Sequence, residues 1–408
     1  MTEDTPYQLN CLRCGKEHGA RSTALTCAIC NGELSVVWDL ERLKGTFSRS
    51  DHYAGLGVWA YARLLPILRP SESKVTLGEG GTPILRAATL GPRLGIDHLY
   101  LKDDTRNPTA SFKDRGISVA VSKAKEFGEK EVVTASTGNV GASVAAYCAK
   151  AGLTSHVFLP ESTPKSKVVQ TLAYGAKVHM VRGNTTDQAG MAAQDAARRF
   201  GWHLIRSNPK GNPYPMEGTK TIAFEISEQL GWRAPDFVIT GVGSGTNLAG
   251  NWKGFTEFNR LGLLGGLPSM VGVQAEGCMP FVDAVKRNLS ESEVKPWPNA
   301  KTIASGLADA YPNACLQALG AVRDSNGTAV SVTDRDLVQA QLDLARFEGV
   351  FAEPSGAAPI AGLKKLLEEG TIDKDQVVVC EITGSGLKQL SEISEVLQYD
   401  DTRLGRRD

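Results

Sequence analysis

Asn107-Pro108-Thr109-Ala110-Ser111-Phe112-Lys113-Asp114-Arg115-Gly116 follows a short apolar run at 98–102 and precedes Ile117, Ala120, Val121 and Ala124, which recur at helical spacing. A strand that turns directly into a helix is the building unit of an α/β protein. Lys113 stands at the mouth of that helix, between Phe112 and an acid. Lysine amines form Schiff bases with carbonyl compounds, and burial or a neighbouring cation lowers the amine pKa enough for that chemistry. A solvated lysine at a helix start is the plain alternative, and this stretch alone does not exclude it.

Outward from this turn the same rhythm repeats. Strand-like runs lie at 98–102, 130–135, 154–159, 176–181, 236–240, 270–275 and 376–382. Amphipathic stretches lie between them at 114–127, 140–151, 164–174, 186–200, 217–230, 334–347 and 356–369. The alternation predicts an α/β fold of mostly parallel sheets covered by helices. At 408 residues the chain has room for a two-lobed body with an appendage. Its 43 glycines suit many tight strand-to-helix turns.

Three further strand ends carry polar, glycine-rich turns. Ser136-Thr137-Gly138-Asn139-Val140-Gly141 opens a helix of small residues, which lets a flat ligand come close, and Asn139 offers both donor and acceptor. An ordinary capped turn has the same composition. Gly241-Val242-Gly243-Ser244-Gly245-Thr246 follows a strand and precedes a helix, a pattern that builds a cradle for a single phosphate. It has no Walker lysine and does not open the first βα unit, so a dinucleotide is the poorer fit. Val377 to Ile382 runs into Thr383-Gly384-Ser385-Gly386-Leu387-Lys388, delivering a hydroxyl at the carboxyl end of a strand, where ligands of open α/β sheets bind.

At the front, Cys11-Leu-Arg-Cys14 and Cys27-Ala-Ile-Cys30 have the spacing of a four-thiolate structural zinc site. His18 lies inside the loop, but the four cysteines already fill a tetrahedral sphere. Cys148, Cys278, Cys315 and Cys380 are scattered singly and read as core residues. The ribbon has few basic residues and no stacking platform, and the 45 basic and 45 acidic side chains cancel, so no nucleic-acid partner is expected. No apolar run is long enough to span a membrane, and the first residues lack a signal-peptide pattern, so a cytoplasmic protein is expected.

Together these segments resemble the threonine synthase family of fold-type II pyridoxal-phosphate enzymes. The likeness starts at the zinc-ribbon-like front and Leu77-Gly78-Glu79-Gly80-Gly81-Thr82-Pro83. It runs through Ser111-Phe112-Lys113-Asp114-Arg115-Gly116, Ser136-Thr137-Gly138-Asn139, Glu217-Gly218-Thr219-Lys220-Thr221, Thr302-Ile303-Ala304-Ser305, Glu353-Pro354 and Thr383-Gly384-Ser385-Gly386. The resemblance implies a zinc-ribbon-like segment at 1–45, then a linking segment and the first part of a large lobe at 46–110. A small lobe at 111–220 and a large catalytic lobe at 221–408 complete it. It implies that Lys113 binds pyridoxal 5′-phosphate and shuttles protons, and that Asn139 meets the ring oxygen. Gly241, Val242, Gly243, Ser244, Gly245 and Thr246 would hold the phosphate, Thr383 the pyridine nitrogen, and Ser136 and Thr137 the substrate α-carboxylate. Cys11, Cys14, Cys27 and Cys30 would hold zinc. The expected reaction converts O-phospho-L-homoserine and water to L-threonine and phosphate, in a homodimer.

The chain departs from the family's pattern at three positions tied to the substrate's own phosphate, carrying Val140, Pro215 and Ser244. The segment after Ala304-Ser305 also differs, reading Gly306-Leu307-Ala308-Asp309-Ala310-Tyr311. A β-elimination or β-replacement on another amino acid, as in a cysteate synthase or a hydroxyamino-acid ammonia-lyase, is the alternative these positions leave open. Arg206 and Lys210 are candidate replacements for the missing cation.

Overall fold

The computed structural model describes residues 5–50, 53–136, 138–161, 163, 165–182, 186–206, 208–394 and 397. Its strands, in chain order, form three sheets. The front sheet holds Tyr7–Cys11 (β1), Glu17–Gly19 (β2) and Leu34–Trp38 (β3), antiparallel in the order β2-β1-β3. The remaining strands are Ile84–Arg86 (β4), His98–Asp103 (β5), Glu131–Ala135 (β6), Thr154–Pro160 (β7), Lys177–Val181 (β8), His203–Leu204 (β9), Phe237–Gly241 (β10), Ser269–Ala275 (β11), Thr328–Val332 (β12) and Val377–Ile382 (β13).

Six of these build the large sheet in the order β12-β11-β10-β13-β5-β4. Every pairing in it is parallel except that of β4 with β5. The small sheet, β8-β7-β6-β9, is parallel throughout. Strands covered on both faces read as continuous apolar runs, which is why Val377-Val378-Val379-Cys380 and Val132-Val133 were visible in the sequence. The order matters for function. Strands β10, β13 and β5 are neighbours, so their carboxyl ends bring the glycine loop, Thr383 and the Lys113 turn to one edge. Strand β6, from the other sheet, delivers Ser136 and Asn139.

The helix Lys113–Glu126 packs Ile117, Ala120, Val121 and Ala124 into the small-sheet core with Val132, Val144 and Tyr147. A second core lies between the large sheet and the helix Pro354–Glu368. The front sheet is not a loose appendage. Tyr7, Leu9, Val36 and Trp38 share one apolar cluster with Tyr61, Phe224, Phe255 and Phe258 of the body.

Two differences from the sequence reading have local causes. The stretch 217–230 is two helices, Tyr214–Thr219 and Thr221–Gln229, meeting at Lys220. The Thr221 hydroxyl donates to the Gly218 carbonyl at 2.7 Å, competing for an acceptor the continuous helix would use. The stretch 334–347 leaves α geometry after Asp343 and closes with a wider turn, Leu344–Glu348, ending on Gly349 at φ 68°.

Candidate active site

Lys113 is placed by its neighbours. Asp114 accepts from the Thr109 N–H and hydroxyl, each at 2.6 Å, and from the Ser143 hydroxyl at 2.7 Å, pinning the helix start to the small lobe. The Arg115 guanidinium makes two bidentate forks, to Asp104 (2.8 and 2.8 Å) and to Glu225 (2.7 and 2.8 Å). Lys102 joins the same Glu225 at 2.6 Å. Burial alone would raise the Glu225 carboxyl, but Arg115 and Lys102 hold it at about 2. The turn ahead of Lys113 is fixed as firmly. Phe112 donates its N–H to the Thr383 carbonyl at 2.9 Å, and Ser385 donates to the Ala110 carbonyl at 3.0 Å. These bonds hold Ala110 at φ 62°, a conformation a non-glycine residue rarely takes.

The Lys113 ammonium nitrogen lies 4.4 Å from the centre of the Phe112 ring. Burial pushes its pKa down to about 8, against the opposing pull of the Asp309 and Glu353 carboxylates. A lysine so placed has a far larger neutral fraction near physiological pH than an ordinary lysine, and the neutral amine is the form that attacks an aldehyde.

The glycine loop is a cradle by necessity. A Cβ on Gly243 would lie 2.3 Å from the Gly306 carbonyl oxygen, so no side chain fits where the 305–309 turn packs against it. Gly245 adopts φ 87° and caps the helix Thr246–Arg260, whose N-terminus faces the loop. The Ser244 and Thr246 hydroxyls stand 3.1 Å apart on the same turn. A small anion suits this surface. Asp309 borders both features, with Oδ2 3.3 Å from where a Gly243 Cβ would stand and its charge felt at Lys113. Thr383 is buried at the end of β13. Asn139 opens the helix Asn139–Ala151 and donates from Nδ2 to Glu353 Oε1 at 2.9 Å. Ser136 is partly buried at the end of β6, and Thr137 lies outside the described residues.

Of the residues singled out from the sequence, Lys113 and Thr383 are joined through Phe112, and Asn139 reaches across to the large lobe. Two were not given roles there. Glu353 and Asp309 both act on Lys113; the Glu-Pro pair at a helix start was visible, while nothing in the 305–311 segment marked Asp309. At the departures, Val140 packs with the small-lobe core, Pro215 is buried in a helix with its carbonyl against Gly116, and Ser244 sits in the cradle. Lys210 lies with its ammonium 5.1 Å from the Tyr311 ring centre, two residues from Asp309.

Residues 75–384 match the family model described as pyridoxal-phosphate dependent enzyme. The chain is 45% identical over 381 residues to a threonine synthase of Methanocaldococcus jannaschii, covering 93% of this chain and 92% of that one. The chain belongs to the threonine synthase family. A threonine synthase of Methanosarcina acetivorans is 41% identical over 393 residues, 96% of this chain and 95% of its own. Among solved structures, the processed form of threonine deaminase isoform 2 from Solanum lycopersicum superposes with a TM-score of 0.67 at 25% identity, covering 81% of this chain and 90% of that one. Membership of the threonine synthase family makes this a pyridoxal-phosphate-dependent lyase of fold type II. The partly buried Lys113 and the glycine cradle with its Ser244 and Thr246 hydroxyls fit that cofactor's aldehyde and phosphate ends.

In the front sheet the four cysteine sulfurs lie within 4.8 Å of one another. Cys11 and Cys30 are 3.5 Å apart, and Cys14 and Cys27 3.7 Å. Zinc–sulfur bonds of about 2.3 Å in a tetrahedron set sulfurs about 3.8 Å apart, so the donor set fits a zinc ion. The Cys30 N–H, opposed by burial and aided by the Ile29 N–H, lowers the Cys27 thiol to about 7. His18 Nε2 lies 3.4 Å from the Cys27 sulfur, beside the site and not within it. Among the described residues, no helix is long and apolar enough to cross a membrane.

Proposed function

We propose that this chain converts O-phospho-L-homoserine and water to L-threonine and inorganic phosphate, with the residue roles the family pattern suggests. The observation that carries the reading is Lys113: an amine lowered to about 8 by burial, fixed by Asp114 and Arg115, at the strand edge that also bears the anion cradle. Pyridoxal phosphate, when bound, supplies an electron sink that makes the carbons next to the amino group acidic. Gly241 to Thr246 would hold its phosphate, the Thr383 hydroxyl would face its ring nitrogen, and Asn139 its ring oxygen. A hydroxyl at the ring nitrogen, unlike a carboxylate, does not force that nitrogen to carry a proton, which favours elimination over transamination. Ser136 and Thr137 receive the substrate carboxylate. Lys113 Nζ takes the α-proton and then a β-proton; phosphate departs from Cγ, Cγ gains a proton, water adds its hydroxyl at Cβ and gives up its own proton, and a last proton returns from Lys113 to Cα.

The substrate's phosphate needs a cation that Val140, Pro215 and Ser244 do not provide. Lys210, poised over Tyr311 at the edge of the 305–311 turn, supports that role in this reading. The four-cysteine site holds structural zinc, the protein works in the cytoplasm, and the active form is a homodimer. The deciding assay measures threonine and phosphate from O-phosphohomoserine with purified, cofactor-loaded protein. No turnover of that substrate, with pyruvate or a β-substituted alanine formed from serine derivatives instead, would overturn the substrate assignment.

A further inference from the structure

An asparagine amide can face a ligand with either end, and only a neighbour of fixed polarity decides which. For Asn139 that neighbour is Glu353. A carboxylate accepts and cannot donate, so it draws Nδ2 toward itself, at 2.9 Å from Oε1. The nitrogen carries two N–H groups. With one spent on Glu353, the other remains for an oxygen in the cleft.

Glu353 is itself held in place. It precedes Pro354 at the start of the helix Pro354–Glu368, and its N–H donates to the Gly384 carbonyl at 2.9 Å. Its carboxylate lies so close to Gly384 that a Cβ there would stand 2.5 Å from Oε1. Ser111 and Ser385 flank this point through bridges to Gly384 and Ala352. The bond to Asn139 also runs from the small lobe to the large one.

We propose that Glu353 is a positioning residue, whose carboxylate orients the Asn139 amide with its nitrogen toward the cofactor's ring oxygen and ties the two lobes at that point. The proposal rests on the reading of Asn139 given above. A glutamine at 353 loses the discrimination, because its amide offers both a donor and an acceptor and permits Asn139 to flip.

The test is a double-substitution cycle on the cofactor dissociation constant, read from the visible band as pyridoxal 5′-phosphate is titrated into resolved protein. Glu353→Gln and Asn139→Ala should each weaken binding about 10-fold, the size of one hydrogen bond to a charged group. The double variant should be no weaker than Asn139→Ala alone, because Glu353 acts through that amide. Gly384→Ala, which displaces the carboxylate without removing it, should imitate Glu353→Gln and also lose its effect in the Asn139→Ala background. Multiplying fold-losses in the double variant, or unchanged binding in Glu353→Gln, would overturn the proposal. Absence of any visible band in the unsubstituted protein would instead overturn the function proposed above.

Discussion

A single side chain, Lys113, concentrates the chemistry, and its environment sets how it should titrate. The lowered pKa of about 8 means that the amine is neutral well below the usual lysine range. Reloading of resolved protein with pyridoxal 5′-phosphate should therefore speed up with pH and level off a little above 8. A rise that continued to about 10.5, the ordinary lysine value, would show an amine free of this environment. Lys113→Ala should abolish the visible band and reduce turnover by at least about 10³-fold, since covalent attachment and proton transfer are lost together. Lys210 makes a different kind of contribution. It would grip the substrate's phosphate equally in ground and transition states, so Lys210→Gln should raise KM by roughly 10- to 100-fold with little change in kcat. A fall in kcat at unchanged KM would place it in the chemistry instead.

At the level of elements, strand β13 and the helix Thr246–Arg260 share a buried carboxyl that serves neither anion binding nor an ion pair. Glu381 accepts from Asn247 Nδ2 at 2.6 Å and Asn251 Nδ2 at 2.9 Å. Burial, reinforced by the Asp104 charge, pushes its pKa up to about 7. The folded-state value thus exceeds the unfolded one. The folded protein holds a proton that the unfolded chain has released, and the stability this confers is full below about 4.5 and lost as pH rises toward 7. Glu381→Gln, which mimics the protonated form, should gain up to about 3 kcal/mol over the unsubstituted protein at pH 8 and show little difference near pH 4.5. Urea unfolding at the two pH values checks this, and an equal effect at both would refute the charge argument. The same scale shows what the sequence could reveal. Six of the seven strands read from it are largely buried, most of them with runs of apolar residues; the seventh, β8, is a half-exposed edge strand betrayed by its alternation, Lys177-Val-His-Met-Val. The two-residue β9, the three-residue β4 and the edge strand β12, Thr328-Ala-Val-Ser-Val, offered too short or too mixed a pattern. Turn chemistry exposed Lys113, Asn139, the cradle and Thr383, because each sits on a strand end with glycine or hydroxyl neighbours. Asp309 had no such marker, since it reaches Lys113 only through the packing of the 305–309 turn on Gly243.

Across the whole molecule, the front sheet is coupled to the body through polar contacts as well as apolar ones. Trp38 Nε1 donates to Glu217 Oε2 at 2.8 Å, and the same buried carboxylate pairs with Lys220 at 2.7 Å and with Lys253. Lys253 also donates to the Val36 carbonyl at 2.6 Å, and Lys123 donates to the Tyr7 hydroxyl at 3.0 Å. Lys220 lies 4.9 Å from the centre of the Trp38 ring. None of these contacts involves Lys113, Thr383 or a residue of the cradle. Loosening the front sheet should thus cost stability without dismantling the cofactor site. Chelation of the zinc that the four cysteines would hold should lower the Tm by about 5 °C or more, because binding energy at such a site is folding energy. The visible band should persist below the new transition. Cys14→Ser should reproduce the shift, and chelator should then add nothing further. Calorimetry paired with absorbance separates the outcomes: a band that vanished on chelation well below the transition would mean that the metal site and the Lys113 site are coupled through the Glu217 network, and not merely attached to the same core.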